Sequence, residues 1–413
     1  MAGIGIALLA GGQAAAQDVA TMTSLLADAK VKAALASIRT AEPRVLDEMI
    51  QFCEVPAPPF KEGARGEVLR RAFLAAGLMN VRVDKAGNVL GDRPGLALRP
   101  RLVVASHLDT VFPEGTPVTV TRDRHLFRGP GIGDNCRGLA VLVAVVRALR
   151  AAQVQTPGLI TFVANVGEEG LGDLRGMKGL FNETLKGQVD RFLSIDGPGL
   201  FVTHVAVGSH RYRITFKGPG GHSFGDFGMP NPANAMGRAI AKIADLRLSA
   251  SPRTTVNVGR VGGGTSVNAI PSEVWMELDL RSTDDGALKA LDGRIQSAID
   301  ASVTEENARG SQEGRVVVQR ELVGDRPAGT LSPSAPIVQA VRSAGQALLG
   351  RIIPLSEGST DANLPMSLNI PAVTIGAGGE GDGQHGMAEV FDSTDSWKGT
   401  QNALLVTIAL AQK

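Results

Sequence analysis

From residue 138 the chain reads Gly138-Leu-Ala-Val-Leu-Val-Ala-Val-Val-Arg-Ala-Leu-Arg-Ala151, and from residue 159 it reads Leu159-Ile-Thr-Phe-Val-Ala-Asn-Val166. The first stretch is apolar nearly all round, which predicts a buried helix, and the second is a short apolar run typical of a buried strand. The same patterns predict, in order, a helix, a short strand and two more buried strands at Leu69–Leu78, Val81–Val89, Leu102–Ser106 and Asp190–Ile195. Helices between apolar strands indicate βαβ units, so we expect an α/β fold with a mostly parallel central sheet.

The pattern changes near Gly208, where a second domain is predicted inside the first. Its strands and helices follow the order β-α-β-β-α-β, which is typical of a ferredoxin-like α+β unit. The expected elements are His210–Lys217, Asn234–Leu246, Thr254–Val261, Val274–Arg281, Gly286–Ala301 and Val316–Leu322. Beyond them, helix, strand and helix are predicted again at Ser334–Leu349, Pro371–Ile375 and Thr400–Ala411. We therefore expect one domain at 19–207 and 326–413, interrupted by an inserted domain at 208–325.

Composition excludes several classes of protein. The 413 residues suffice for two or three domains, and 42 basic against 41 acidic residues leave a net charge of +1, which argues against a nucleic-acid-binding surface. The longest aliphatic run, Leu139–Val146, is too short to span a membrane. The two cysteines, Cys53 and Cys136, exclude a disulfide-rich scaffold and a thiolate zinc site, and we expect Cys136 to be a buried, inert thiol.

The N-terminus allows two interpretations. Ile4–Ala10 is apolar and Ala14-Ala-Ala16 offers a cleavage site, so residues 1–18 are a possible signal peptide of a periplasmic or secreted protein. The first basic residue is Lys30, however, which is unusual for such a peptide. The alternative is an alanine-rich start of a cytoplasmic protein.

Histidine and carboxylate side chains recur where predicted strands end. They lie in five separate segments and are His107 and Asp109, Asp134, Glu168 and Glu169, Asp196, and His385. Because the carboxyl ends of parallel strands meet at one edge of a sheet, we expect these groups to converge. Two imidazoles and several carboxylates without thiolate suit Zn²⁺, Mn²⁺ or Co²⁺.

Each segment alone has a simpler interpretation. Asp134 alone is typical of a helix cap, the Glu168-Glu169 pair of a solvated turn, and His385 of an ordinary loop. The glycine-rich stretch 129–133 lacks the spacing and the lysine of a phosphate-binding loop, so it favours a nucleotide only weakly. We leave His125 and His210, together with His204, as structural or surface residues. The combination, rather than any one segment, predicts a metal centre.

The combined motifs resemble the dinuclear zinc exopeptidases and amidohydrolases, a family that includes peptidase T, bacterial glutamate carboxypeptidase, aminoacylase and succinyl-diaminopimelate desuccinylase. The resemblance begins near Glu42 and is closest to the peptidase T branch. The motifs are His107-Leu-Asp109, 131–138 around Asp134, Glu168-Glu169-Gly170, Asp196, Gly220-Gly-His-Ser223, Ser266-Val-Asn-Ala-Ile-Pro271, Asp279-Leu-Arg-Ser282 and His385. It implies a zinc-peptidase α/β sandwich with an inserted lid and dimerisation domain.

The resemblance also implies a role for each metal ligand. His107, Asp134 and Asp196 would hold one Zn²⁺, and Asp134, Glu169 and His385 would hold a second, with Asp134 bridging the two. Co²⁺ or Mn²⁺ could replace zinc. Asp109 would orient His107, and Glu168 would act as general base on a water that bridges the metals. The peptide bond after Asp134 would be cis.

Three residues of the inserted domain would contact substrate by the same resemblance. His222 would reach the carbonyl oxygen, often across a homodimer, Asn268 would orient the substrate, and Arg281 would bind a substrate carboxylate. Simpler interpretations are a capped loop histidine for His222 and a strand salt bridge for Arg281.

The activity expected from this resemblance is that of a zinc-dependent aminopeptidase on di- or tripeptides. A carboxypeptidase or N-acyl-amino-acid deacylase would use the same metal ligands, so the alternatives within hydrolases stay open. A non-catalytic binding protein on the same fold is disfavoured because the ligand set and Glu168 are complete, and a nucleotide-binding protein is the most distant alternative.

Overall fold

The computed structural model describes residues 22–311 and 313–412, so the possible signal peptide at 1–18 lies outside the described residues. The main helices are α1 (Ala29–Cys53), α2 (Gly63–Ala76), α3 (Gly138–Ala151), α4 (Arg175–Gly179), α5 (Pro232–Ala244), α6 (Asp285–Arg309), α7 (Pro336–Leu349), α8 (Asn363–Ser367) and α9 (Trp397–Leu410). Short irregular helical turns occupy Ile132–Arg137, Gly170–Gly172 and Leu180–Thr184. None of these described helices is both long and apolar enough to cross a membrane.

The strands form one large sheet and several small ones. In chain order they are β1 (Met79–Val83), β2 (Val89–Arg93), β3 (Arg101–His107), β4 (Thr121–Asp123), β5 (Leu126–Arg128), β6 (Leu159–Asn165), β7 (Arg191–Ile195), β8 (Val202–Ala206), β9 (Gly208–Lys217), β10 (Gly221–His222), β11 (Thr254–Gly263), β12 (Ala269–Ile270), β13 (Glu273–Ser282), β14 (Val317–Arg326), β15 (Gly329–Thr330), β16 (Leu355–Gly358), β17 (Ala372–Ile375), β18 (Glu380–Asp382) and β19 (Val390–Asp392).

The described chain divides into two compact units. One runs up to Ala206 and resumes at Thr330, and the other is Val207–Gly329. We call them the catalytic unit and the inserted unit. The inserted domain expected at 208–325 lies within the second unit.

The catalytic unit is built on a mixed sheet with a parallel centre. Strands β6, β3, β7 and β17 are parallel neighbours, and β2 and β8 pair antiparallel on either side of them. Alternate residues of β3 enter different apolar clusters: Leu102 and Val104 pack with α1, α2, α3, α7 and α9, whereas Val103 and Ala105 pack with α4 and α8. Because side chains of a strand alternate between faces, helices cover both faces of the sheet. The predicted α/β class is confirmed.

The predicted strand Val81–Val89 is wrong. The chain forms β1, turns back, and pairs β2 antiparallel with it. The turn is made by Asp84, whose Oδ1 accepts hydrogen bonds from the backbone N–H groups of Ala86, Gly87 and Asn88 at 2.9–3.0 Å. Gly87 has φ of 102°, a conformation that favours glycine, so the hairpin is encoded in this turn rather than in the apolar pattern.

The inserted unit is a four-stranded antiparallel sheet with two helices. Its strand order is β11-β13-β9-β14, which is the arrangement of a ferredoxin-like unit. Along β13 every second residue is buried, and this face packs with α5 and α6 in one apolar cluster. The helices therefore cover one face of the sheet, whereas the other face carries polar and charged side chains.

Candidate metal centre

Adjacent parallel strands place most of the predicted ligands at one edge of the central sheet. His107 is the last residue of β3, Glu168 and Glu169 follow β6, and Asp196 directly follows β7. Asp134 lies in the irregular turn before α3. The fifth segment, with His385, is the loop that joins β18 to β19. These two strands pair antiparallel in a different sheet.

The structure brings all five segments together around Asp134. The Nε2 atom of His107 lies 3.1 Å from Oδ1 of Asp134 and 3.3 Å from Oδ1 of Asp196. The Nε2 atom of His385 lies 3.3 Å from Oδ2 of Asp134 and 3.2 Å from Oε1 of Glu169. The two oxygens of Asp134 thus face two different histidines, as a carboxylate that bridges two metal ions must. Ligand atoms of His107, Asp134 and Glu169 all lie within 4.8 Å of one another.

Asp109 has a different set of contacts from the one expected. The Nδ1 atom of His107 lies 3.0 Å from the backbone oxygen of Asp109 but 3.7 Å from its carboxylate. The carboxylate instead accepts the backbone N–H groups of Glu168, at 3.0 Å, and Glu169, at 2.8 Å. The backbone carbonyl therefore lies closest to the His107 ring, and the buried Asp109 side chain fixes the turn that carries both glutamates.

Charges are crowded at this edge of the sheet. Burial raises the pKa of Glu169 to about 7, against the opposing effect of its hydrogen bond with His385. Hydrogen bonds with Asp134 and Glu169 raise the pKa of His385 to about 10. Burial opposes the charged form of His107, but Asp196 and Asp134 together raise its pKa well above the ordinary value. The pKa values of the two histidines are raised by the carboxylates around them, whereas that of Glu169 is raised mainly by burial; divalent cations would neutralise the crowded negative charges. The donor set therefore fits hard to borderline metal ions.

The turn 131–137 is held by long-range contacts. Its peptide bond between Asp134 and Asn135 is cis, as the resemblance implied. The Nδ2 group of Asn135 donates to Oγ of Ser106 and to the backbone oxygen of Ile195, both at 3.0 Å. These bonds connect the turn to β3 and β7, so the strand ends and Asp134 are positioned together.

The same turn carries a disulfide, which corrects the expectation of a free thiol at Cys136. Cys136 pairs with Cys53, 83 residues earlier in the chain, at the end of α1. Both side chains are fully buried. Two cysteines are too few to indicate a disulfide-rich scaffold, and their proximity arises only when α1 packs beside the turn.

Two buried carboxylates near the centre had not been predicted. Glu389 is 1% exposed and accepts backbone N–H groups of the turn that holds Asp134. Asp361 is fully buried and accepts a hydrogen bond from Nδ2 of Asn165 at 2.7 Å. Burial, and then the negative charge of Glu168, raise the pKa of Asp361 well above its ordinary value. The sequence could have drawn attention to Glu389, because it lies only four residues after the candidate ligand His385. No comparable pattern points to Asp361.

In the inserted unit, the candidates His222 and Asn268 are exposed and Arg281 is half-buried. Nδ1 of His222 accepts backbone N–H groups of Phe224 and Gly225 at 3.3 and 3.2 Å. β10 and β12 pair His222 with Ala269, which places Asn268 in the adjoining segment. Nε of Arg281 donates to Asp279 at 2.7 Å, in agreement with the strand salt bridge considered above. Their roles toward substrate stay predictions.

Fold and site together define a metal-dependent hydrolase of the α/β class. Residues 103–408 match the family described as Peptidase family M20/M25/M40, and the chain belongs to this family. Over 358 residues, which are 82% of this chain and 91% of the relative, it is 25% identical to the uncharacterized protein YqjE of Bacillus subtilis strain 168. It is 24% identical over 346 residues to the succinyl-diaminopimelate desuccinylase of Corynebacterium glutamicum, covering 82% of this chain and 88% of the relative.

A solved structure shows the same fold. The aminopeptidase PepT of Bacillus cereus superimposes with a TM-score of 0.71 at 22% identity, and the match covers 90% of this chain and 99% of that one. The resemblance to the metallopeptidase family, and the hydrolase class predicted from it, are confirmed.

Proposed function

We propose that the chain is a zinc-dependent aminopeptidase that hydrolyses the amide bond of di- or tripeptides. The observation that carries this proposal is the position of Asp134, whose two carboxylate oxygens each lie within 3.3 Å of a different histidine. The similarity to an aminopeptidase of the same fold supports the choice of peptide substrate.

Five residues would hold two divalent ions. His107, Asp134 and Asp196 would bind one, and Asp134, Glu169 and His385 would bind the other. Zn²⁺ is the proposed metal, and Co²⁺ or Mn²⁺ would suit the same nitrogen and oxygen donors. When bound, such ions polarise the substrate carbonyl and lower the pKa of a water at the site.

The protein's own groups would then move the proton and orient the substrate. Glu168 is 5% exposed, and it would take a proton from the attacking water and deliver it to the leaving amine. Asp109 holds the backbone N–H of Glu168, so it keeps this side chain beside the ligands. His222 would stabilise the developing oxyanion, while Asn268 and Arg281 would orient the substrate.

A deacylase or carboxypeptidase is the second candidate. It is favoured by the desuccinylase relative, whose similarity extends over most of both chains. Purified protein should be assayed against dipeptides, tripeptides and N-acyl-amino acids, with metal content measured on the same sample. We expect about two ions per chain, reversible loss of activity on chelation, and fastest hydrolysis of free-amino peptides. Faster hydrolysis of substrates with a blocked amino terminus would favour the deacylase over the aminopeptidase. Full activity with only trace metal would contradict both proposed activities.

We further propose that the chain forms a homodimer through the inserted unit. Its sheet ends in β11 on one side and β14 on the other, and open sheet edges are commonly paired or covered. Sedimentation of the intact protein at micromolar concentration is the measurement. An active monomer would contradict the proposal, along with any role of His222 across the dimer.

A periplasmic or secreted location is also proposed. The Cys53–Cys136 disulfide supports it, because disulfides form and persist in oxidising compartments. Thiol titration of protein isolated from each cell fraction, with exchange blocked during lysis, should find the pair oxidised outside the cytoplasm. A wholly cytoplasmic, reduced protein would contradict this location.

A further inference from the structure

Glu389 is a buried carboxylate that the proposed mechanism leaves without a role. Its Oε2 accepts the backbone N–H of Gly131 at 2.8 Å, and its Oε1 accepts those of Gly133 at 2.8 Å and Asp134 at 3.0 Å. Three backbone donors converge on one side chain that is 1% exposed. A buried carboxylate that accepts three backbone hydrogen bonds fixes the turn, because losing it would leave those N–H groups without a partner.

The turn needs such a partner because it does not continue a regular helix. Asp134 has φ of −117° and ψ of 90°, and Gly131 has φ of 78°. N–H groups at the start of a helix have no acceptor one turn earlier, and here no residue of the turn supplies a capping side chain. Glu389 satisfies them from more than 250 residues away in sequence.

Glu389 also belongs to the segment that carries His385. It lies four residues after that histidine, at the base of the β18–β19 hairpin. The backbone oxygen of Glu389 accepts the N–H of Gly129 at 3.1 Å, and the next residue, Val390, pairs with Arg128 across β19 and β5. The same segment therefore carries the candidate ligand His385 and is hydrogen-bonded to the turn that carries the candidate ligand Asp134.

We propose that Glu389 is a positioning residue that sets the spacing between Asp134 and His385, and so couples the two metal positions. This inference rests on the proposed dinuclear centre. Glu389 itself binds neither metal nor substrate, since its oxygens are occupied by the backbone of the turn. Loss of the Glu389 carboxylate should therefore first change the affinity and coordination of the metal ions.

The chain supplies a matched control in Asp84. Its carboxylate likewise accepts three backbone N–H groups, in a half-buried turn that joins β1 and β2 at the edge of the sheet. None of its hydrogen-bond partners is a candidate ligand. Asp84→Asn should therefore lower stability in the same manner as Glu389→Gln, without altering metal binding.

The experiment is a Co²⁺ titration of metal-free protein, followed by visible absorption, with the melting temperature of each variant recorded. Wild type and Asp84→Asn should bind two ions with the same affinity and spectrum. Glu389→Gln keeps the size of the side chain but presents an NH₂ group where one oxygen was. We expect it to bind Co²⁺ about 10–100-fold more weakly, the usual effect of losing a group that orients ligands, with an altered spectrum.

A second variant keeps the carboxylate and moves it. A Cβ at Gly133 would lie 3.1 Å from Oε1 of Glu389, so Gly133→Ala should displace that oxygen by a few tenths of an ångström. A smaller loss of affinity in the same direction would support the proposal even if Glu389→Gln fails to fold. Wild-type affinity and spectrum in either folded variant would overturn it, as would equal weakening by Asp84→Asn. A wild type that binds no Co²⁺ would instead overturn the dinuclear centre itself, and the inference with it.

Discussion

The catalytic and inserted units hold their candidate residues in opposite ways. In the catalytic unit, His107 is 1% exposed and contacts carboxylates that are 27 and 89 residues away in sequence. In the inserted unit, the exposed side chain of His222 accepts hydrogen bonds from backbone N–H groups two and three positions away, while its backbone pairs with Ala269. The side-chain contacts of His107 exist only in the folded chain, whereas those of His222 are local. Substitutions in the catalytic unit should therefore change metal binding or proton transfer, and those in the inserted unit should change substrate binding or turnover alone.

Glu168→Gln is expected to give the largest effect. It removes the proposed base and keeps every ligand, so kcat should fall by about 10²–10⁴-fold while two ions stay bound. Its matched variant is Glu169→Gln, which removes a ligand beside His385 and should lose or weaken one ion, with partial rescue by excess metal. Metal content and single-turnover rate are the measurements. Reversed behaviour of the two variants would exchange the roles of the adjacent glutamates.

His222→Ala should give the next largest effect. Loss of a group that stabilises an oxyanion lowers kcat by about 10²–10³-fold, and the metal content should equal that of wild type. His210→Ala is the control in the same unit. Nδ1 of His210 lies 2.9 Å from Oδ2 of Asp292, and this histidine has no proposed role toward substrate. Steady-state kinetics should show unchanged kcat for the control. An equal loss in both variants would indicate damage to the inserted unit rather than a role for His222.

Asp109→Asn should affect metal binding more than turnover. Its carboxylate accepts two backbone N–H groups, and an amide in its place offers only one acceptor oxygen. The turn with Glu168 and Glu169 should loosen, weakening metal affinity by about 10–100-fold. Chelator competition measures this affinity. If affinity is unchanged while kcat falls, Asp109 acts on Glu168 alone.

Arg281→Ala should give the smallest effect. Losing one charged hydrogen bond to a substrate carboxylate should raise KM about tenfold with metal content unchanged. Arg213→Ala is the control, because Arg213 is paired with Glu277 and lies over Trp275 in the same sheet. For substrates with an amidated carboxyl terminus, Arg281→Ala and wild type should have the same KM. If neither Arg281→Ala nor Arg213→Ala changes KM, Arg281 serves only in its strand salt bridge with Asp279.

The sequence predicts best where one rule of geometry applies. Parallel strands end at one edge, so His107, Glu169 and Asp196 could be assigned to one place before their distances were known. It predicts less well where a single side chain redirects the backbone, as Asp84 does between β1 and β2. Contacts such as Cys53–Cys136 depend on how α1 packs against a distant turn, and no local pattern encodes that packing.

Helix α1 illustrates the same limit within one element. Its buried positions recur at helical spacing, for example at Val31, Leu35, Ile38, Val45 and Met49. Pro43 stands among them, and a proline inside a helix normally ends it or bends it. Packing of the apolar positions against α3 and α9 outweighs this local preference.

The long separation of the ligands has a consequence for biosynthesis. Chains emerge from the ribosome in order, and domains generally fold as units, N-terminal parts first. A nascent chain grown to Ala206 already contains His107, Asp134, Glu169 and Asp196, but His385 and Glu389 follow only after the inserted unit. The elements that complete the core and sheet of the catalytic unit, α7, β17 and α9, also follow the inserted unit. The full set of proposed ligands can therefore come together only after the inserted unit has been synthesised, when the two parts of the catalytic unit meet.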